Sequence, residues 1–220
     1  MVELLNIDCM EYMKTLPDKA FDLAVVDPPY GIGHFTQSDR LSKYGNYDWN
    51  KNTPNQEYFI ELKRVSKERI IWGANYYNCF ENGKGALVWY KGNQTQTISH
   101  CEIASLSFQT RVSYVHINWQ SGFFREMREG KAIHPCQKPI TLYDWILRNY
   151  AKPGQRILDT HLGSMSSVIA AIAGGFSIVG CEIDSDYFIA GCNRVKKYLS
   201  QSDFTRGEVE LKINNDTQTY

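Results

Sequence analysis

The sequence lacks several features that would announce a class of protein at once. Lys and Arg together number 24 and Asp and Glu together number 24, so the formal net charge is zero. Any contact with nucleic acid therefore needs a local basic patch rather than bulk positive charge. No run approaches the roughly 18 apolar residues of a membrane span, and the N-terminus has neither the basic nor the apolar part of a signal peptide. We expect a cytoplasmic protein without membrane contact.

Cysteine and histidine are present, but without the spacing of a disulfide framework or a metal site. The six cysteines form no close pairs, and the five histidines show no ligand spacing. This pattern disfavours zinc and predicts reduced thiols, so no metal ligand is assigned. The length of 220 residues suits one domain with a sizeable core.

The most informative stretch is Asp27-Pro28-Pro29-Tyr30, which ends the apolar run 21–26. That run predicts a buried strand, and two prolines without N–H donors stop its ladder. The turn presents a carboxylate, free carbonyls and an aromatic ring. An ordinary strand-to-loop turn is the alternative, since Asp-Pro is common in turns.

These groups suit chemistry on the exocyclic amino group of a nucleobase, whose lone pair is delocalised into the ring. Asp27 can accept one N–H and the Pro28 carbonyl the other, which favours attack by the nitrogen. The prolines fix both acceptors before the substrate arrives. The ring of Tyr30 offers a face on which an extruded base can stack.

The pattern along the chain predicts an α/β fold with a doubly wound, mostly parallel sheet of seven strands. Strands and helices alternate clearly after residue 139, which is typical of such sheets. We predict one domain over residues 1–200 with a small insert at about 109–133. The tail 201–220 alternates apolar and charged residues and is either an edge strand or a frayed end.

A second unit has the form of a ligand-binding turn between a strand and a helix. A strand ends at Asp159, Gly163-Ser164 follow, and the next strand ends at Glu182. The helix start favours an anionic group, and an acid at the second strand end suits ribose hydroxyls. A plain structural turn is the alternative. Asp8 ends another strand and either holds an adenine amino group or caps the following helix.

The insert mixes aromatic and basic residues. Its candidates for DNA phosphate contacts are Arg111, Arg125, Arg128 and Lys131, whose contacts would give a salt-dependent affinity. A solvated charged face is the alternative. The long segment 31–55 carries Tyr44, Tyr47 and Trp49, which either cover a base or meet DNA, or pack on the protein body.

Several motifs, in this order, resemble those of the S-adenosylmethionine-dependent DNA amino-methyltransferases of the permuted, beta-class arrangement. Asp27-Pro28-Pro29-Tyr30 matches the catalytic tetrad, and 134–139 matches His-Pro-x-Gln-Lys-Pro. Residues 159–167 resemble the Asp-Pro-Phe-x-Gly-Ser-Gly-Thr-Thr loop, although Thr160-His161 stands in place of Pro-Phe and Met165 in place of Gly. Met165 must therefore avoid a left-handed backbone or tolerate its strain.

The resemblance implies a Rossmann-like methyltransferase that uses S-adenosylmethionine. Lys138 would meet the methionine carboxylate, Asp27 would also touch the cofactor's ammonium group, and the backbone at Cys9 and Ile183 would flank the adenine. The implied cofactor residues are Asp8, Cys9, Asp27, Lys138, Asp159, Gly163, Ser164, Glu182 and Ile183.

The predicted function is methyl transfer to the amino group of a flipped adenine in double-stranded DNA, in a restriction-modification or mobile-element setting. Asp-led tetrads are typical of adenine enzymes in the family that the sequence resembles. The alternatives are a cytosine-N4 DNA methyltransferase, an enzyme acting on RNA or on a protein amide, and a non-catalytic DNA-binding relative. Because the insert is short, sequence specificity would require either a homodimer or the segment 31–55.

Overall fold

The computed structural model describes residues 1–32, 50–81, 85–92, 99–119, 129–201, 208–214 and 216–219. Its strands are β1 (Val2–Leu5), β2 (Phe21–Val26), β3 (Ser66–Trp72), β4 (Ala86–Tyr90), β5 (Cys101–Leu106), β6 (Val112–His116), β7 (Arg156–Asp159), β8 (Ser177–Cys181), β9 (Glu210–Ile213) and β10 (Asp216–Thr219). Its helices, numbered in chain order, are α1 (Cys9–Lys14), α2 (Gln56–Val65), α3 (Ala74–Tyr77), α4 (Ile140–Tyr150), α5 (Ser166–Gly174) and α6 (Ser185–Ser200).

The described strands form a single sheet in the order β10-β9-β1-β8-β7-β2-β3-β5-β4-β6. Six of the nine pairings are parallel, and only β5 and β10 run against their neighbours. The predicted α/β class with a mostly parallel sheet is confirmed.

The sheet has ten strands where seven were predicted. Two of the additional strands come from the tail, where β9 pairs with β1 and β10 closes a hairpin. Another, β6, comes from the predicted insert and pairs in parallel with β4. The sequence of β6 is mostly exposed and carries no buried apolar run, which is why the pattern did not reveal it.

Helices cover both faces of the sheet because successive strand residues point to opposite sides. Leu23 and Val25 join the larger core, which contains apolar residues of α4, α5 and α6. Ala24 and Val26 join the other core, which contains residues of α1 and α2. This arrangement fixes the direction of β2 and therefore the position of the turn that follows it.

One edge of the sheet collects the carboxyl ends of its central strands. Because β1, β8, β7 and β2 are parallel neighbours, the acids that follow or end them line up as Asp8, Glu182, Asp159 and Asp27. β5 runs antiparallel to β3 and β4, so its first residues reach the same edge. Ligands of open α/β sheets bind at such an edge.

The division into a domain, an insert and a tail stays a prediction. Within the insert, the described residues include β6, whereas 120–128 lie outside the described ranges. The proposed base-covering residues Tyr44, Tyr47 and Trp49 also lie outside them. No helix of the described residues is long and apolar enough to cross a membrane.

Candidate active site

The Asp27 carboxylate lies directly beyond β2 and has partners on both oxygens. The Tyr30 hydroxyl donates to Oδ1 at 2.6 Å, and the Lys138 ammonium donates to Oδ2. Lys138 also lies 3.0 Å from the Tyr30 oxygen. The motif residues at positions 27, 30 and 138, separated by up to 111 positions in the chain, therefore meet in one cluster.

The carbonyls of the two prolines are held by a residue that sequence reasoning missed. The Tyr77 hydroxyl lies 2.5 Å from the Pro28 oxygen and 2.8 Å from the Pro29 oxygen. Tyr77 lies on α3, which follows β3 after a single residue. A carbonyl has two acceptor positions, so Pro28 retains one for a substrate. The only feature of the sequence that could have pointed to Tyr77 is the Tyr76-Tyr77 pair just beyond a predicted strand.

One face of the Tyr30 ring is already covered. Tyr76 stacks on Tyr30 with ring centroids 4.9 Å apart and an interplanar angle of 18°. Gly73 permits this packing, because a Cβ atom there would lie only 2.5 Å from the Tyr30 ring. A base that stacks on Tyr30, as predicted, has to use the opposite face or displace Tyr76.

A second carboxylate, Glu102, extends the charged cluster. Its Oε2 atom lies 3.1 Å from the Lys138 ammonium and 3.2 Å from the Tyr30 hydroxyl. Its Oε1 atom lies 2.5 Å from the ammonium of Lys91. The cluster thus contains two carboxylates and two ammonium groups, all largely buried. Neither Glu102 nor Lys91 belongs to a motif that the sequence analysis singled out.

Burial and charge act oppositely on the two carboxyls. Burial raises the pKa of Asp27, and the neighbouring negative charge of Glu102 adds to this rise. The positive charge of Lys138 lowers the pKa, but by less than burial raises it. Burial also disfavours ionised Glu102, but its two lysine partners outweigh this effect and lower its pKa to about 2. Glu102 therefore stays charged, whereas Asp27 is the more readily protonated acid.

The turn after β7 is held by neutral and backbone donors instead. Asp159 is buried and accepts from the Ser167 hydroxyl at 2.5 Å and from the backbone N–H of His161 at 3.1 Å. Burial raises the pKa of Asp159 to about 7. The Glu182 carboxylate accepts from the backbone N–H of Gly163 at 2.7 Å and of Asp184 at 2.9 Å. Glu182 thereby joins the ends of β7 and β8.

The unusual Thr160-His161 pair forms a hydrogen-bonded chain with α2. The Tyr58 hydroxyl lies 2.7 Å from the Thr160 hydroxyl, which lies 2.9 Å from His161 Nδ1. The rings of Tyr58 and His161 pack edge to face. Burial lowers the pKa of His161 to about 4, so the imidazole is neutral near pH 7. The side chains of both unexpected residues therefore have hydrogen-bond partners within the fold.

Met165 does adopt the left-handed backbone, with φ 57° and ψ 29°. Its side chain is fully buried, and it lies against Gly191 of α6. Nearby, Arg194 donates to the Ser164 carbonyl at 2.7 Å and pairs with Glu129 at 3.2 Å. The predicted cofactor residue Ser164 is thus fixed from α6.

The predicted adenine-binding residues lie next to the end of β8. Asp8 accepts from the backbone N–H of Met10 at 2.7 Å and caps α1, which is the second of the two roles expected for it. Cys9 begins α1, and burial raises its pKa to about 12. Ile183 is 64 % exposed. The side-chain amide of Asn6 donates to the Glu182 carbonyl at 2.8 Å and ties these segments together.

The predicted cofactor residue Lys138 lies at the turn after β2, where its ammonium contacts Asp27, Glu102 and Tyr30. Its contact with a methionine carboxylate stays a prediction. Among the predicted DNA contacts, Arg111 and Lys131 are exposed, whereas Arg125 and Arg128 lie outside the described residues. No group of described His, Cys, Asp and Glu side chains is arranged to hold a metal ion.

Comparison with known proteins bears on the family that the motifs resemble. A family model described as DNA methylase, the N6/N4 type, matches residues 92–190. The DNA adenine methyltransferase YhdJ of Escherichia coli (strain K12) is 24% identical over 241 residues, which cover 87% of this chain and 82% of the relative. The match to the DNA methylase model over residues 92–190 and the similarity to a methyltransferase confirm the resemblance found in the sequence.

Solved structures show the same fold. The complex of M1.HpyAVI with SAM has a TM-score of 0.59 at 17% identity and covers 89% of this chain and 99% of that one. The PvuII DNA methyltransferase, described as cytosine-N4-specific, has a TM-score of 0.58 at 11% identity and covers 94% of this chain and 88% of that one. Relatives of this fold therefore include a cytosine-N4 enzyme.

Proposed function

We propose that this protein transfers a methyl group from S-adenosylmethionine to the exocyclic N6 amino group of adenine in DNA. The observation that carries the proposal is the catalytic turn, in which the Asp27 carboxylate and the Pro28 carbonyl are fixed by Tyr30, Lys138 and Tyr77. Two fixed acceptors suit a planar NH₂ group, because each accepts one of its hydrogens. The match to a DNA methylase model supports DNA as the substrate.

The residues beyond β7 and β8 fit the cofactor. The Gly163 turn opens α5 next to the buried Glu182 carboxylate, whose oxygens retain acceptor capacity for ribose hydroxyls. The buried Gln137 amide uses its oxygen to accept from the Ile133 N–H, while its nitrogen has no partner among the described residues. This donor precedes Lys138 in the chain, and both side chains suit a carboxylate. Asp159, Ser164, Asp8, Cys9 and Ile183 complete the proposed site.

When bound, S-adenosylmethionine supplies an electrophilic methyl group. The protein's part is to orient the amino nitrogen and to accept its proton. Asp27 suits both tasks, because it is fixed by two donors and because burial raises its pKa. No cysteine nucleophile is needed, and the raised pKa of Cys9 and the pKa of Cys136, raised to about 11 by burial, agree with that.

Adenine is favoured over cytosine by the Asp-led tetrad and by the likeness to an adenine methyltransferase. The geometry itself suits either amino group. Arg111, Arg125, Arg128 and Lys131 are the proposed phosphate contacts, and a homodimer stays a prediction. Each real phosphate contact should flatten the salt dependence of DNA binding by about one unit when changed to Ala.

The decisive experiment identifies the methylated base. Unmethylated DNA is incubated with cofactor labelled in its methyl group, digested to nucleosides and separated. We expect label in 6-methyladenine; label only in 4-methylcytosine would overturn the choice of base. Asp27→Ala should abolish the product, while Asp18→Ala, at an exposed surface ion pair, should leave the rate unchanged. An Asp27→Ala enzyme with the wild-type rate would overturn the mechanism.

A further inference from the structure

We propose that Glu102, held by Lys91, is a positioning residue that shares Lys138 with Asp27 and thereby sets how strongly Asp27 accepts the amino proton of the base. The inference rests on the proposed function and assigns a role to two residues outside the motifs.

The fold delivers Glu102 to the catalytic turn from a distant part of the chain. Glu102 is the second residue of β5 and pairs in register with Trp89 of β4. Since β5 runs antiparallel to β3, the start of β5 lies where β3 ends. The Glu102 side chain is 19% exposed and the Lys138 side chain 5% exposed, so water screens their interaction poorly.

The two negative and two positive charges of this cluster balance, and removing any single one leaves an uncompensated charge. Of the two carboxylates, Lys138 contacts both and Lys91 contacts only Glu102. Without the negative charge of Glu102, Lys138 would pair with Asp27 alone and make it a weaker acceptor. Without the positive charge of Lys91, Glu102 would draw Lys138 away from Asp27. The two residues therefore act on Asp27 in opposite directions.

This control matters in the transfer step. The amino nitrogen forms a bond to the methyl carbon, the electron pair of the broken S–C bond stays on sulfur, and the departing N–H proton passes to Asp27. Protonation of Asp27 weakens its hydrogen bond with Lys138, because a neutral carboxyl accepts less strongly than a carboxylate. Glu102 offers Lys138 a second acceptor already within 3.1 Å, so the ammonium is never left buried without a partner.

Other titratable groups also face Asp27, and their titrations must be distinguished from that of Asp27. They are Tyr30 of the turn, Tyr77 of α3, Tyr143 of α4, Cys136 and Asp159. The pKa values of the tyrosines and of Cys136 are raised above their ordinary values by burial, so these groups titrate well above pH 7. Asp159 is the single member of this set that titrates near neutrality, which makes a direct observation of Asp27 necessary.

The test follows the Asp27 carboxyl carbon by NMR during a pH titration of the ligand-free protein, with the signal assigned by Asp27→Asn. Glu102→Gln should lower the pKa of Asp27 by about one unit or more, and Lys91→Met should raise it. The double variant should return it toward the wild-type value. Glu102→Asp keeps the charge and should change it less than Glu102→Gln. Lys67→Met, which removes an exposed partner of Asp22, is the matched control.

Methyl-transfer rates on DNA supply the second readout. The acidic limb of the kcat profile should move in the same direction as the pKa of Asp27, and Glu102→Gln should lower kcat at pH 7 by up to about tenfold. If Lys91→Met does not fold, Lys91→Gln takes its place. An unchanged pKa, or shifts of the same sign in both single variants, would overturn the inference. A wild-type enzyme that methylates no DNA would instead overturn the proposed function, whatever the NMR result.

Discussion

The turns beyond the neighbouring strands β2 and β7 have similar positions but opposite construction. The β2 turn is held by charged and phenolic side chains from distant segments, since Tyr77, Glu102 and Lys138 lie 49, 72 and 111 positions from their partners. The β7 turn is held mainly from nearby, by His161, Ser167 and Glu182, 2 to 19 positions away. The first arrangement suits the proton acceptor that we propose, and the second fixes the backbone of the proposed cofactor site.

The largest effect that separates the two turns should come from Glu182→Ala. It removes a carboxylate that accepts two backbone N–H groups, one of them from Gly163, and that is proposed to bind the ribose. Loss of hydrogen bonds to a charged group costs roughly 1.5–3 kcal/mol. We therefore expect cofactor affinity to fall at least about tenfold, while kcat at saturating cofactor changes little.

Isothermal titration with the cofactor measures this change. Asp186→Asn, at an exposed acid in the first turn of α6, is the matched control and should bind as the wild type does. Unchanged affinity in a folded Glu182→Ala protein would contradict the proposed ribose contact. A fall in kcat alone would contradict the proposal that the β7 turn binds the cofactor while the β2 turn acts in the transfer step.

A smaller effect with the opposite kinetic signature should come from Tyr77→Phe. The change removes the donor to the Pro28 and Pro29 carbonyls and leaves the ring in place. Losing one such hydrogen bond costs about 1 kcal/mol, so we expect kcat to fall about fivefold with cofactor affinity unchanged. Tyr150→Phe, at the end of α4 and near the start of β7, serves as the control for loss of a hydroxyl. A weaker cofactor affinity with normal kcat would refute the assignment.

The difference between the two turns also explains which site residues could be predicted from the sequence. Asp27, Asp159, Gly163 and Glu182 were recognisable because each stands in a short local pattern at a strand end. The same local logic predicted the α/β class, since strands alternate with helices after residue 139 and the buried strand β2 carries a run of apolar residues. Their precise roles in ligand binding stay predictions.

The missing parts are those that only the tertiary fold assembles. Tyr77, Lys91 and Glu102 carry no pattern of their own. Glu102 reaches the turn because β5 turns back antiparallel between β3 and β4, while Tyr77 reaches the proline carbonyls from α3. The strand β6 was missed because four of its five residues are not buried. Long-range contacts of this kind follow from strand order, which a single sequence does not reveal.

The smallest functional effect should come from Met165→Gly, which restores the glycine of the family loop. Glycine removes the strain of the left-handed backbone, about 1–2 kcal/mol. Deleting a fully buried Met side chain, however, costs roughly 2–5 kcal/mol. We expect the free energy of unfolding to fall by about 1–3 kcal/mol. Cofactor affinity should change less than about twofold, because glycine keeps the turn conformation.

Gly191 supplies the test of that account. A Cβ atom there would lie 2.8 Å from Met165 Cγ and Sδ, so Gly191→Ala alone should crowd Met165 and destabilise the protein. In the double variant with Met165→Gly, the new methyl group enters the vacated space and also favours the helix by about 1 kcal/mol. Urea unfolding of all four proteins should show the double variant to be more stable than the sum of the single effects predicts. Additive effects would mean that Met165 and Gly191 do not share one packing site, and that Met165 is retained for some reason other than its contact with α6.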